Sequence, residues 1–293
     1  MDFLAELQQR TLLFDGALGT QLIAAGYRSQ ECPEEWNVGN AEVVAGIHRA
    51  YFAAGSDIVQ TNTFGGTRAK LGAYHCGERT EEFNLAAARL ATAVRDEVAP
   101  DRLVAGEISS SGVLLKPLGD GDPHDLRDVF AEQAEALAEG GVDLFSVETM
   151  FDLEEAKAAV AGVRAVSKLP LMAALTFKPS PKGFRTMMGT TPAQAAAALL
   201  ELGADVVGAN CSITAAEMGP LVDEFRAATG APLVFQPNAG QPRLEGGHTT
   251  YDETPAHFAE VVAQMAAEGA SVVGGCCGTT PEHIAALRTA LGR

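Results

Sequence analysis

A chain of 293 residues, 47% of them hydrophobic, is long enough to bury one large core. Its 38 acidic residues against 21 basic ones leave a formal charge of −17, which repels phosphate backbones and anionic membrane surfaces and so argues against nucleic acid and membrane as partners. With no apolar run of about 18 residues and no basic-then-apolar start in MDFLAELQQR, the sequence reads as a soluble cytoplasmic protein without a membrane span or secretion signal.

Short apolar, β-branched runs punctuate the chain: LLFDG from Leu12, DIVQTNTF from Asp57, RLVAGEIS from Arg102 and VDLFSVET from Val142. They continue as PLMAALTF from Pro170, ADVVGANCS from Ala204, APLVFQPN from Ala231 and ASVVGGCCG from Ala270. Each run is apolar on both alternating faces, the pattern of a parallel strand covered on both sides. Ala-rich segments lie between them. In LEEAKAAVAGVRAVSK, Leu153, Ala156, Val160, Val163 and Val166 share one helical face, as do Phe258, Val261, Val262 and Met265 in AHFAEVVAQMAAEG. GAD or GVD before several strands reads as a helix terminator. Eight strand–helix units predict a (β/α)8 TIM barrel forming one domain over residues 1–293; no dinucleotide fingerprint after the first strand supports the rival open sheet.

In such a barrel the C-terminal strand ends converge on one mouth. There the sequence places Asp15 and Gly16; Thr61, Asn62 and Thr63; Glu107 and Ser109; Glu148 and Thr149; Asn210, Cys211 and Ser212; Asn238; and the pair Cys276/Cys277. The five cysteines, at 32, 76, 211, 276 and 277, are odd in number and irregularly spaced, which argues against a disulfide framework. Cys211 from the sixth strand and Cys276 and Cys277 from the eighth are expected to meet across the seventh, with Gly274, Gly275 and Gly278 supplying the backbone angles that turn both neighbouring sulfurs to one point. Three sulfur ligands and no fourth suit a zinc ion with an open position. Buried inert thiols and a Cys276–Cys277 disulfide acting as a redox switch remain alternatives at this level. The histidines are scattered through predicted helices and loops, His283 reads as local structure after TTPE, and Trp36 is expected to staple the long first loop.

LLFDGALGTQL, IHRAYFAAGSDIVQTNTFGG, GANCS, PNAG and VVGGCCGTTPEHI together resemble the homocysteine S-methyltransferase family, most of all the homocysteine-binding barrel of cobalamin-dependent methionine synthase, from about residue 10 to about residue 290. The resemblance implies a zinc ion held by Cys211, Cys276 and Cys277, with the homocysteine thiol in the open position and methionine as product. It also implies that Asp15 and Glu148 receive the substrate ammonium, that backbone amides around Gly16 and Ala17 and the Thr61 hydroxyl hold its carboxylate, and that Asn238 neighbours the metal.

Gly65 and Thr149 stand where the betaine-using branch carries tyrosines, which disfavours betaine as methyl donor. The wording of QTNTFGG and PNAG is closer to the branch served by methylcobalamin or another methylcorrinoid. That makes the chain either one module of a larger enzyme with folate and cobalamin modules or a monomeric enzyme meeting a separate corrinoid protein. A free-standing S-methylmethionine-dependent enzyme is the alternative within the family; a thiol redox sensor or a zinc-stabilised docking module are the alternatives outside it.

Overall fold

The computed structural model describes residues 1–28, 30–245 and 248–293, and among these one sheet of eight parallel strands forms the centre of the molecule. The strands are β1 (Leu12–Leu13), β2 (Ile58–Gln60), β3 (Leu103–Ile108), β4 (Leu144–Met150), β5 (Leu171–Leu175), β6 (Val206–Thr214), β7 (Leu233–Asn238) and β8 (Val272–Val273). Neighbours in sequence are neighbours in space, β8 pairs back onto β1 (Leu12 opposite Val272), and a Phe14–Ile58 bridge joins β1 to β2. The barrel is therefore closed, as the count of apolar runs predicts. A helix follows each strand: α1 (Ala41–Ala54), α2 (Thr80–Val98), α3 (Pro123–Glu139), α4 (Leu153–Val166), α5 (Pro192–Glu201), α6 (Ala215–Ala228), α7 (Pro255–Ala267) and α8 (Pro281–Ala290). No helix of the described residues is long and apolar enough to cross a membrane.

Strand alternation divides the core in two. Leu13, Val59, Val104, Phe145, Ala173, Val207, Phe235 and Val273 point outward into the layer shared with the helices. Their neighbours Leu12, Ile58, Leu103, Leu144, Met172, Val206, Val234 and Val272 fill the interior, which Phe3 of the N-terminal helix plugs from below. Continued upward by twos, the inward series turns polar: Gln60, Glu107, Ser146 and Glu148, Asn210, Gln236 and Asn238, then Cys276.

The lower end carries a repeated device. Gly55, Gly141, Gly203 and Gly269 end α1, α3, α5 and α7 with positive φ, the left-handed conformation that only glycine adopts without steric cost. Two residues on, Asp57, Asp143 and Asp205 accept hydrogen bonds from the strand amides of Leu13 (2.9 Å), Val104 (2.8 Å) and Leu171 (2.9 Å). Ser271 does the same for Leu233 at 3.3 Å. Each aspartate is also paired with arginine: Asp57 with Arg10, Arg102 and Arg293, Asp143 with Arg95, and Asp205 with Arg164.

Trp36 is buried edge-on against Tyr27 and donates from Nε1 to Glu31, so it does staple the first loop. His283 caps its own helix, its Nδ1 accepting from the Thr280 amide.

Candidate active site and metal centre

Three sulfurs meet at the upper end. The ligand atoms of Cys211, Cys276 and Cys277 all lie within 4.8 Å of one another, the one such metal-competent cluster of three among the described residues, and Cys211 Sγ is 3.8 Å from Cys277 Sγ. Two sulfurs at about 2.3 Å from a tetrahedral zinc ion are about 3.8 Å apart, which is the Cys211–Cys277 spacing. All five cysteines are free thiols, and Cys276 and Cys277 are not bonded to each other.

Different backbone devices bring the sulfurs together. Alternation along β6 makes Asn210 face inward and would send Cys211 outward. A register break between Asn210 and Thr214, with Cys211 and Ser212 at φ 59° and 65°, interrupts it and re-aims Cys211. Cys276 follows the inward parity of β8, while Cys277 sits in a turn closed by Thr279 N to Cys276 O at 3.1 Å. The flanking glycines act differently from the expectation. Gly278 alone has positive φ, +83°. Gly274 and Gly275 are there for space, because a methyl group would overlap Phe14 and the Asp15 carbonyl at the first and Thr279 at the second.

Opposite the sulfurs lie buried carboxylates. Glu107 and Glu148 line a cavity of about 410 Å³ together with Gln60, Asn62, Cys276 and Cys277. Asp15 is fully buried at the end of β1, with one carboxylate oxygen accepting from the Gln60 amide at 2.9 Å. Burial pushes all three up: Asp15 and Glu107 well above the usual carboxylate range and Glu148 to about 7. Asp15 Oδ1, Gln60 Oε1, Glu148 Oε2, Gln236 Oε1 and Asn238 Oδ1 have no hydrogen-bond partner among the described residues. Buried polar atoms are normally paired, so five unpaired ones at one barrel end mark a surface complementary to a polar ligand. The other cavity wall, Leu18, Leu22, Ile23, Tyr27, Phe64 and Tyr251, is apolar or aromatic.

Other expected site residues already have partners within the fold, and one, Thr61, turns away from the mouth. Thr61 follows the outward parity of Val59; its hydroxyl accepts from the Glu107 amide (3.0 Å) and meets Thr63 Oγ1 (2.7 Å), which donates to the Glu107 carbonyl, so no hydroxyl hydrogen is left for a ligand. The Ala17 amide donates to Thr279 Oγ1 at 3.0 Å, and Gly16 is packed against Thr279 and Tyr51. The short helix Leu18–Ala24 that follows has no side-chain cap, and its first residues, Leu18, Gly19 and Thr20, line the cavity. Asn238 ends β7, with Pro237 O accepting from Cys276 N (2.8 Å) and Ala239 N donating to Cys277 O (3.0 Å) on either side of it.

Sequence reasoning named Glu107 and Asn210 as strand ends without giving them a role. Counting by twos from Leu103 or Val206 would have found both. Asn210 accepts from Thr149 N (2.8 Å), donates to Thr149 Oγ1 (2.7 Å) and lies 3.9 Å from Cys276 Sγ. It thereby holds Thr149 at φ 58°, in the irregular stretch of β4 that carries Glu148.

The sequence matches the family described as homocysteine S-methyltransferase over residues 12–291. Methionine synthase of Mycobacterium tuberculosis is 37% identical over 305 residues and that of Mycobacterium leprae 36% over 307; these take in 99% and 100% of this chain but 25% of each relative. The chain thus spans about a quarter of the length of these curated relatives. Among solved structures, the metallated form of the homocysteine methyltransferase MmuM from Escherichia coli covers 99% of both chains with a TM-score of 0.80 at 26% identity. Its oxidized form gives 0.84 at 25%.

Proposed function

The chain belongs to the homocysteine S-methyltransferase family, and from that membership we propose that residues 1–293 form a homocysteine-binding barrel that transfers a methyl group to the substrate thiol to make methionine. The observation that carries this reading is the sulfur trio, two of whose members share one cavity with the buried carboxyls of Glu107 and Glu148, the latter with an unpaired oxygen. An amino acid with a thiol side chain needs both: a thiophilic centre for one end and anionic oxygens for the other.

In this reading Cys211, Cys276 and Cys277 hold zinc. A zinc ion so bound supplies the Lewis acidity that keeps the substrate thiol, ordinarily protonated at neutral pH, in its nucleophilic thiolate form. Glu148 and Asp15 receive the ammonium group, whose charge offsets the burial that otherwise favours their protonated forms. The substrate carboxylate falls to the amides of the uncapped turn after Gly16 and Ala17, while Thr61 acts from behind by ordering the Glu107 strand. Asn238 brings an unpaired amide oxygen to the same rim. With the amino acid end fixed, the sulfur is aimed at the donor from an apolar wall that limits water. The S–CH3 bond forms as the donor–CH3 bond breaks, its electron pair remaining with the donor.

For the donor, the identity to two methionine synthases favours a methylcorrinoid presented at the mouth by a separate protein or domain. The full-length likeness to MmuM, a homocysteine methyltransferase of this chain's extent, favours instead a small donor such as S-methylmethionine. A methyl-transfer assay on zinc-loaded protein with methylcobalamin, S-methylmethionine and betaine separates them. Methionine formation from the first is expected; formation from none of the three, at any homocysteine concentration, overturns the proposal.

A further inference from the structure

The side chain of Asn210, fully buried on β6, is shared between two strands that are not its neighbours. In the sheet β5 and β7 flank β6, and β4 and β8 each lie one strand further out. Asn210 reaches both of these. Across β5, its Oδ1 accepts from Thr149 N at 2.8 Å and its Nδ2 donates to Thr149 Oγ1 at 2.7 Å; across β7, Nδ2 donates to Cys276 Sγ over 3.9 Å. One primary amide thus joins the strand end that carries Glu148 to the turn that carries the cysteine pair.

The Glu148 stretch depends on that hold. Val147 stands opposite Ala173 and Met150 opposite Leu175, so Glu148 and Thr149 together face the single residue Ala174, and the ladder is broken where the carboxylate is presented. Thr149 is β-branched and sits at φ 58°, a conformation that such residues keep only where their surroundings impose it. The two bonds from Asn210 impose it, fixing the backbone one residue beyond Glu148 where the ladder does not. On its other side the same amide steadies Cys276, and the chain after Asn210 leads directly into Cys211 on the β6 bulge.

Resting on the reading of the sulfurs as the thiol end of the site and Glu148 as its ammonium end, we propose that Asn210 is a positioning residue that sets the span between the two ends and so selects the substrate by chain length. Homocysteine has one methylene more than cysteine between its amino acid group and its thiol. The two carry the same charges and the same sulfur, so neither a metal nor Glu148 tells them apart. A fixed span does, because the shorter molecule cannot meet one end without leaving the other. Without Asn210 the Thr149 turn relaxes and the span is no longer held to one length.

The test is calorimetric titration of homocysteine and of cysteine into the whole, zinc-loaded chain. Wild type is expected to prefer homocysteine at least about tenfold, and Asn210→Ala to cut that preference about tenfold by weakening homocysteine while leaving cysteine nearly unchanged. Glu148→Gln alters the charge and not the span, and is expected to weaken both ligands by the same factor. Thr149→Val exchanges the hydroxyl that meets Asn210 for a methyl group of the same shape; it is expected to move the preference the same way by about threefold, and it carries the test where Asn210→Ala fails to fold or to hold zinc. Asn210 and Thr149 variants whose preference is unchanged, or in which both ligands weaken alike, overturn this inference and leave the zinc reading standing, as does a wild type that binds the two equally. Wild-type protein that binds neither overturns both.

Discussion

The two ends of the barrel set carboxylates against the strands and treat them in opposite ways. Where the strands begin, Asp57, Asp143 and Asp205 each satisfy a strand amide and pair with one or more arginines. Where the strands end, Asp15, Glu107 and Glu148 are buried like Asp57 and more deeply than the half-buried Asp143 and Asp205, yet no salt bridge reaches them among the described residues, and Asp15 and Glu148 each keep an unpaired oxygen. A buried carboxylate without a counter-charge is costly, and nothing in the fold forces that cost on the upper end, because the lower end shows the same sheet satisfying its acids fully. The difference separates stability from function: one end pairs its acids within the fold, and the other leaves acid oxygens open to a ligand.

The largest effect expected from testing that division lies at the sulfurs. Cys211→Ala removes one of the three proposed ligands, on the bulge of β6, and is expected to abolish metal retention and bring methyl transfer to background, while the unfolding midpoint of the metal-free protein hardly moves. Elemental analysis, turnover and urea denaturation on one preparation check all three. A variant that keeps both metal and turnover would break the assignment of the upper end.

Asp57→Asn is the counterpart below. It leaves Arg10, Arg102 and Arg293 without their shared anion, and a stability loss of about 3 kcal/mol is expected from denaturant unfolding. Homocysteine affinity of the folded fraction should stay unchanged. If binding weakens in step with stability, the two ends are coupled and the division is less sharp than the geometry indicates.

Much of this division is legible in the sequence, though unevenly. The eight strands stand out because each is a short apolar run between longer segments, several of them Ala-rich and helical, and the GAD and GVD terminators are readable because left-handed helix ends favour glycine. The inward polar series is readable too, since alternation on from Leu103 and Leu144 reaches Glu107 and Glu148. Two classes of site feature are not. The bulge at Cys211 and the turn at Thr149 put ordinary residues at positive φ, which no local residue type announces. Tyr251 comes from a long connection whose path depends on the space above Gly278, a tertiary fact. Thr61 fails the other way: it has the right residue type at the right strand end, but it points to the helix side, and its hydroxyl is taken up by Thr63 and the Glu107 amide.

Glu148→Gln sharpens the comparison from the ligand side. Losing the charge proposed to meet the substrate ammonium is expected to raise the homocysteine KM about 10- to 100-fold, corresponding to about 1.5–3 kcal/mol, with kcat less affected. Unlike Asp57→Asn, the change should not lower the unfolding midpoint near pH 7, because it removes a buried group that the fold does not pair. A fall in stability as large as that of Asp57→Asn would place Glu148 with the structural acids.

The smallest effect is one of pH, and its sign is diagnostic. Burial raises Glu148 from its ordinary value near 4.5 to about 7. Between those values the folded protein keeps a proton that the unfolded chain gives up, so stability is fully present below about pH 4.5 and is lost as the pH rises through about 7. At about 1.4 kcal/mol per pH unit for a whole proton, and with Glu107 sharing the same buried space, the loss between pH 5 and pH 7 should be about 2 kcal/mol at most. Urea midpoints of metal-free, substrate-free protein at the two pH values measure it, and Glu148→Gln should flatten the slope. A variant that keeps the full slope would show that the proton resides elsewhere in the acid cluster and would shift the uncompensated charge of the upper end from β4 to Glu107 or Asp15. Addition of homocysteine should reduce the slope in the wild type, because the arriving ammonium supplies the counter-charge that the arginines supply at the other end of the barrel.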